Sequence, residues 1–249
     1  MRENHWNHLT ASELRDLARR DTIVLLPVGS TEQHGDHLPT GIDDFLAAEV
    51  CRRAAAAASV PVVVAPSVWC GLAEHHMPFG GTLTLSLPTL HALLRDVCRS
   101  ILRAGFRHIL IVNGHGGNVT ALNALVNELT VELDAPIAVT SYFTAGREVI
   151  AGVLETQRHL MHACEGETSM ALAACPDLVR TQAVARAVGP AIDLQSEDSS
   201  PVYRSVSFDT ISPSGTAGDA RSASAAKGER MLDGCAGALA DLLVAGIWP

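Results

Sequence analysis

Four short apolar runs, each separated from the next by a stretch with helical spacing, constrain the fold of this chain more than any other feature. The runs are DTIVLLPV (21–28), VPVVVAPSVW (60–69), RHILIVNG (107–114) and APIAVTSYF (135–143). They are rich in β-branched residues and show no polar alternation, which reads as strands buried on both faces. Between them, segments 44–58, 87–104 and 119–133 carry apolar residues at helical spacing with charges on the remaining face. Strands alternating with helices predict a parallel sheet covered on both sides. Right-handed crossovers then set the strand carboxyl ends along one edge, where open α/β sheets bind their ligands. The expectation is an α/β fold, a single-domain three-layer αβα sandwich with a mostly parallel sheet, spanning residues 1–249. Further on, 169–179 reads as a short helix stopped by Pro176, and 220–247 as an Ala-rich helix that closes the domain. The Ser-, Pro- and Gly-rich stretch 195–218 reads as an ordered loop or lid, because no second core of adequate size follows it.

Composition excludes several classes of function. With 47% hydrophobic and only 18% charged residues the chain is a globular sequence rather than a disordered one, with apolar surface to spare for contacts between subunits. A formal charge of -9 argues against the broad basic surface that nucleic acid requires, so no such partner is expected. No apolar run reaches the roughly 18 residues of a membrane span, and the amino-terminal stretch MRENHWNHLTASELRDLARR lacks the apolar segment of a secretory signal. Six cysteines are scattered without a C-x-x-C pair, which points to a reducing, cytoplasmic compartment.

Against this low charge content, three polar clusters stand out, each at a strand-to-helix or loop-to-helix junction. The densest is STEQHGDHLPTGIDD (30–44), which places Glu32, His34, Asp36, His37, Asp43 and Asp44 directly after a buried strand. Carboxylates and imidazoles crowded together repel one another or take up protons, and a divalent cation removes that cost while using both ligand types. A solvated loop leading to a helix cap at Asp43 or Asp44 is the plainer alternative. The second cluster, NGHGGN (113–118), offers His115 and a glycine turn whose amides at Gly116 and Gly117 can approach an oxyanion or a carboxylate. The third, HACEGETS (162–169), holds His162, Glu165 and Glu167 ahead of a helix, where an acid also suits the helix dipole. A fourth segment, GLAEHHMPFGGTLTL (71–85), adds Glu74, His75 and His76 as substrate contacts or supports for the ligands.

Taken in order, PVGSTEQHGDHLPTGID, EHHMPFGGTLTL, VNGHGGN, HACEGETS and GTAGDARSASAAKGE resemble the successive motifs of the creatininase family, over nearly the whole chain. The resemblance implies a metal-dependent amidohydrolase with two divalent ions, zinc first, with manganese or iron as the other candidates. It also implies a homo-oligomer, often a hexamer of paired subunits. Carried over, Glu32 and His115 would bind one ion, His34 the other, and Asp43 would bridge them. In the family's namesake a glutamate lies two residues beyond the histidine of the third motif. Gly117 stands there in this sequence, so the resemblance is to the HGGN branch, with Glu167 as the replacing ligand. His162, or else Glu165, is implied as the proton carrier, and Glu74, His75, Gly116, Gly117 and Tyr142 as substrate contacts. The substrate class is a small-molecule amide, linear or cyclic; the family also includes a peptidase and a deformylase. Two rivals are a metal-stabilised scaffold without turnover and a cysteine hydrolase pairing Cys164 with His162.

Overall fold

The computed structural model describes residues 4–192 and 204–248; the part of the expected lid at 195–203 lies outside them. The chain opens with α1 (Ala11–Ala18), whose Thr10 and Glu13 form a reciprocal capping box. Strand β1 (Ile23–Val28) follows and is buried at all six positions. Then come α2 (Ile42–Ala57), β2 (Val62–Val64), α3 (Leu87–Arg103), β3 (His108–Asn113), α4 (Val119–Leu133) and β4 (Ile137–Ser141). All four strands are parallel, in the order β2-β1-β3-β4. Strand β2 is shorter than the run 60–69 suggested, because Pro61 and Pro66 flank it and cannot donate to a ladder.

The strands divide their side chains between two cores, as buried parallel strands must. Ile23, Leu25, Val62, Val64, Leu110 and Val112 meet α2 and later helices on one face. Val24, Leu26, Val28, Val63, Ile109 and Ile111 meet α3 and α4 on the other. The first face is completed by α5 (Tyr142–Ala145), α6 (Arg147–Val153) and α7 (Glu165–Ala174). After α8 (Thr181–Val184) and α9 (Phe208–Ile211), the long α10 (Ala225–Ala245) packs against α7 and α2. Helix α10 starts later than 220, since Asp219 caps a separate 3-10 turn at Ala220–Ser222 and Ala223 is extended before the Ser224 cap. Helix α7 starts earlier than 169 and includes Glu165 and Glu167 in its first turn. No helix among the described residues is long and apolar enough to cross a membrane.

The strand order places the site. From β1 the chain moves outward to β2, then returns past β1 to β3, so the order reverses between β1 and β3 and opens a crevice at their carboxyl ends. Val28 and Asn113 are paired there, immediately before the first and second polar clusters. Glycines at both strand ends let α2 close on the crevice. A Cβ on Gly29 would lie 2.3 Å from Asp44 Cα, and one on Gly114 would lie 2.4 Å from the Asp43 carbonyl. The first turn of α2 is thus in backbone contact with the sheet, with Asp43 inserted between the two strand ends. Gly41, not Asp43 or Asp44, occupies the helix cap, so both acids are free for other work.

Candidate metal centre

Glu32, His34, Asp43, His115 and Glu167 come together from three separate stretches of chain, all of them buried. His115 Nδ1 lies 3.1 Å from Glu32 Oε2 and 3.0 Å from Asp43 Oδ2. His34 Nε2 lies 3.1 Å from Asp43 Oδ1 and 3.9 Å from Glu167 Oε2. Asp43 therefore turns one oxygen to each histidine. Among the described residues, candidate ligand atoms form three groups in which all members lie within 4.8 Å of one another: Glu32–Asp43–His115, His34–His162–Glu167 and Glu32–His76–His162. Ligands about 2.0–2.2 Å from one cation are spaced on that scale.

Hydrogen bonding on the far side of each ring shows what the near side offers. His115 Nε2 is 3.1 Å from the Leu72 carbonyl and His34 Nδ1 is 3.1 Å from the Glu32 carbonyl. A carbonyl only accepts, so these nitrogens carry the hydrogens and the opposite nitrogens face the carboxylates. Histidine ligands of metals are held in this way. Glu32 Oε1, His34 Nε2 and Asp43 Oδ2 are buried polar atoms without a hydrogen-bond partner. Such atoms are costly in a protein interior unless a cation meets them, so the donor set fits one.

The electrostatics agree. Burial raises Glu32 above the usual carboxylate range, and burial raises Glu167 to about 8 despite the opposing pull of His34. Burial opposes charge on His34, but Asp43, Glu167 and Glu32 outweigh it and hold the ring at about 10. His115 is likewise raised well above the histidine range by Glu32 and Asp43 against the cost of burial. Asp43 is buried too, yet the two histidines pull it well below its ordinary value. The crowded acids are thus offset by protons on two histidines and on Glu167, a role that the charge of divalent ions would take over.

The remaining expected residues divide. His162 is buried beside His34, ring centres 4.2 Å apart, with Nδ1 3.5 Å from Glu32 Oε1. Burial, then His34 and His76, hold it well below the usual histidine range. His75 is half-buried and stacks on His115 at 5.8 Å, held down to about 4 by burial and by His115. Gly116 and Gly117 are exposed next to His115, and a side chain at 117 would meet His115 Nε2 at 2.4 Å. Glu74 is exposed at the start of a 3-10 turn, Glu74–Phe79. Tyr142 is fully buried, edge-on to Phe143 at 5.4 Å, its phenol pushed well above its usual value by burial.

Glu165 turns away from the cluster. Its carboxylate accepts from Lys227 Nζ at 2.6 Å, Thr156 Oγ1 at 2.7 Å and the amides of Glu155 and Thr156. These donors hold it below the usual carboxylate range against the cost of burial. The pair fastens the first turn of α7 to the first turn of α10, and so fixes the phase in which Glu167 faces His34. Lys227→Met leaves this buried carboxylate short of its cationic partner and should destabilise the chain by about 3 kcal/mol. Urea unfolding of the two chains measures it, and an unchanged midpoint would show that the pair is not structural. Cys164 is also buried, its thiol pushed up to about 12, which does not suit a nucleophile.

His76, expected as a substrate contact or a support for the ligands, has Nε2 3.3 Å from Glu32 Oε1. Two residues at the cluster were not singled out by the sequence: Gln33 points between His76 and His162, and Phe208 packs on both rings at 4.5 and 4.8 Å. Gln33 sits inside a polar motif and could have been suspected. Phe208 carries no local signal, since only the packing of α9 against the Glu74–Phe79 turn brings it there.

Comparison with known proteins bears on the chain as a whole. The sequence model of the creatininase family, described as creatinine amidohydrolase, matches residues 7–243. The mycofactocin precursor peptide peptidase of Mycolicibacterium smegmatis is 37% identical over 240 residues, covering 92% of this chain and 88% of that protein. A solved structure described as the manganese form of creatininase superposes with a TM-score of 0.85 at 28% identity, covering all of both chains. A mutant creatininase of Zn-Zn type does so with a TM-score of 0.80, also at 28% identity and over all of both chains. A family match that runs across the sheet, the crevice and α10, joined to structural similarity along the whole length, makes this chain a member of the creatininase family.

Proposed function

We propose that this chain, as one catalytic domain, hydrolyses the C–N bond of an amide with the help of two divalent cations. Glu32 and His115 would hold one, His34 and Glu167 the other, and Asp43 would bridge them. The observation that carries this reading is the pair of histidines pinned by carbonyls on one side and facing buried carboxylates on the other. Divalent cations, when bound, supply a water acidic enough to ionise near neutrality and a Lewis acid for the amide carbonyl. The donor set of imidazole and carboxylate, without thiolate, suits an open catalytic site for zinc or manganese rather than a closed structural one.

The protein's own residues supply the rest. His162 faces the cluster with Nδ1, its ring oriented by the Nε2–H···O bond to the Gln33 carbonyl at 2.7 Å. It is the group placed to take up a proton from the nucleophilic water at Nδ1 and pass it to the departing nitrogen, whereas Glu165 has its oxygens engaged elsewhere. The exposed turn at Gly116 and Gly117 lies beside His115, where its amides can receive an oxyanion or a substrate carboxylate. His75 and Glu74 flank that approach. Phe208 covers the outer faces of His76 and His162 and excludes water from them. Tyr142 supports the centre from the core and does not meet the substrate.

Similarity to a peptide peptidase makes a linear peptide amide the first class to test, ahead of creatinine. Exposed Trp69, Leu83 and Leu87 support a homo-oligomer, and six free cysteines a cytoplasmic setting. The test combines elemental analysis of the purified chain with a screen of linear and cyclic amides. Turnover lost on chelation and restored by zinc or manganese is the expected result. A chain that binds no transition metal, or that hydrolyses equally well after chelation, overturns the reading.

A further inference from the structure

The side chain of Gln33 lies between His76 and His162, and its orientation is fixed by the main chain. Its Oε1 accepts from the Gly35 N–H at 2.9 Å, and its Nε2 donates to the Gly215 carbonyl at 3.1 Å. An amide N–H only donates and a carbonyl only accepts, so oxygen and nitrogen cannot be exchanged. One N–H remains for two imidazole nitrogens, His76 Nδ1 and His162 Nε2, each 2.9 Å away. His162 Nε2 already carries a hydrogen, because it lies 2.7 Å from the Gln33 carbonyl, and so it accepts nothing. The free N–H therefore goes to His76 Nδ1. A neutral His76 must then hold its own hydrogen on Nε2, which lies 3.3 Å from Glu32 Oε1.

We propose that Gln33 is a positioning residue that sets the tautomers of His76 and His162 in opposite senses, so that His76 shows the centre a hydrogen and His162 shows it a lone pair. The consequence concerns the group Glu32–His76–His162, which by distance alone could hold an ion. With Nε2 of His76 protonated, that group lacks one donor atom, and His76 turns an N–H rather than a lone pair towards Glu32 Oε1. Gln33 thereby limits the centre to two cations. This consequence rests on the dinuclear reading above; the tautomer assignment does not.

Gln33→Glu tests the proposal with little change of shape. A carboxylate at 33 still accepts from Gly35 but has no hydrogen for His76, which must then donate from Nδ1 and turn an Nε2 lone pair to Glu32. Neutron diffraction from the zinc-loaded full chain reads the hydrogens directly. Deuterium is expected on His76 Nε2 in the original chain and on Nδ1 in Gln33→Glu, with His162 Nε2 deuterated in both. Elemental analysis should find zinc per chain rising from two to three. A His76 that carries deuterium on Nδ1 in the original chain overturns the proposal, and that map decides it even if the variant fails to fold. A His76 unchanged in Gln33→Glu, or zinc that stays at two there, overturns the selective role. Fewer than two zinc ions in the original chain, with His76 still deuterated on Nε2, overturns the dinuclear reading and supports the tautomer assignment.

Discussion

Asp43→Asn should strip the chain of most of its metal and lower kcat by more than ~100-fold, beyond the ~10–100-fold that outer contacts to a metal site usually carry. The reason is that each oxygen of Asp43 serves a different half of the cluster: Oδ1 lies 3.1 Å from His34 Nε2 and Oδ2 3.0 Å from His115 Nδ1. An asparagine has one oxygen and an NH2 group, so whichever way it turns, one half faces a donor that cannot coordinate. The backbone contact of α2 with Gly29 and Gly114 leaves the side chain no room to swing aside. The metal-free variant should meanwhile unfold more easily than the original chain, because Asp43 is the anion that faces the two protonated histidines and its loss leaves their buried charge without that partner. Elemental analysis with steady-state kinetics checks the first part and thermal unfolding after chelation the second. Full metal content in Asp43→Asn would remove Asp43 from the ligand set.

Cation binding should release at least two protons near neutrality. In the metal-free chain His34 is held at about 10 and His115 well above the histidine range, so both are protonated at pH 7. Glu167, raised to about 8, is also mostly protonated there. Coordination requires the lone pairs, so these protons must leave. The sign follows: because the folded-state values lie above the working pH, lowering the pH makes the displacement harder and weakens binding. Each proton released costs about tenfold in apparent affinity per pH unit, so two give about a hundredfold per unit between roughly pH 6 and 8. Zinc titration calorimetry in buffers of different ionisation enthalpy reads the number directly. A binding enthalpy independent of buffer, with affinity flat across that range, would show that the histidines do not exchange protons for metal.

Much of the architecture was legible in the sequence because it is written in local periodicity. The runs at 21–28, 107–114 and 135–143 became β1, β3 and β4, and segments 87–104 and 119–133 became α3 and α4 almost to the residue. Buried parallel strands must be apolar on both faces and their crossover helices on one, and each pattern spans few enough residues to be read directly. The gathering of Glu32, His34 and His115 at one sheet edge followed from their positions just after strands. Boundaries were less legible where a capping side chain decides them, as at Ser224 rather than Asp219 for α10.

What only the tertiary structure decided is the direction of individual side chains. Glu165 and Glu167 are two residues apart in the same first turn, and both looked able to serve the site. On a helix they point about 200° apart, so the phase of α7 must give one to the cluster and the other to something else. That phase is set by Lys227, 62 residues away, which takes Glu165 and leaves Glu167 facing His34. Tyr142 fell to the core for the same kind of reason, since α5 follows β4 without a turn and directs it inward. Gln33 shows the limit most sharply, because its role depends on a carbonyl 182 positions distant that fixes which end of its amide is the donor. Sequence periodicity states which residues a strand end or a helix face will offer. Orientation depends on contacts between segments that share no local pattern, and those exist only once the chain has packed.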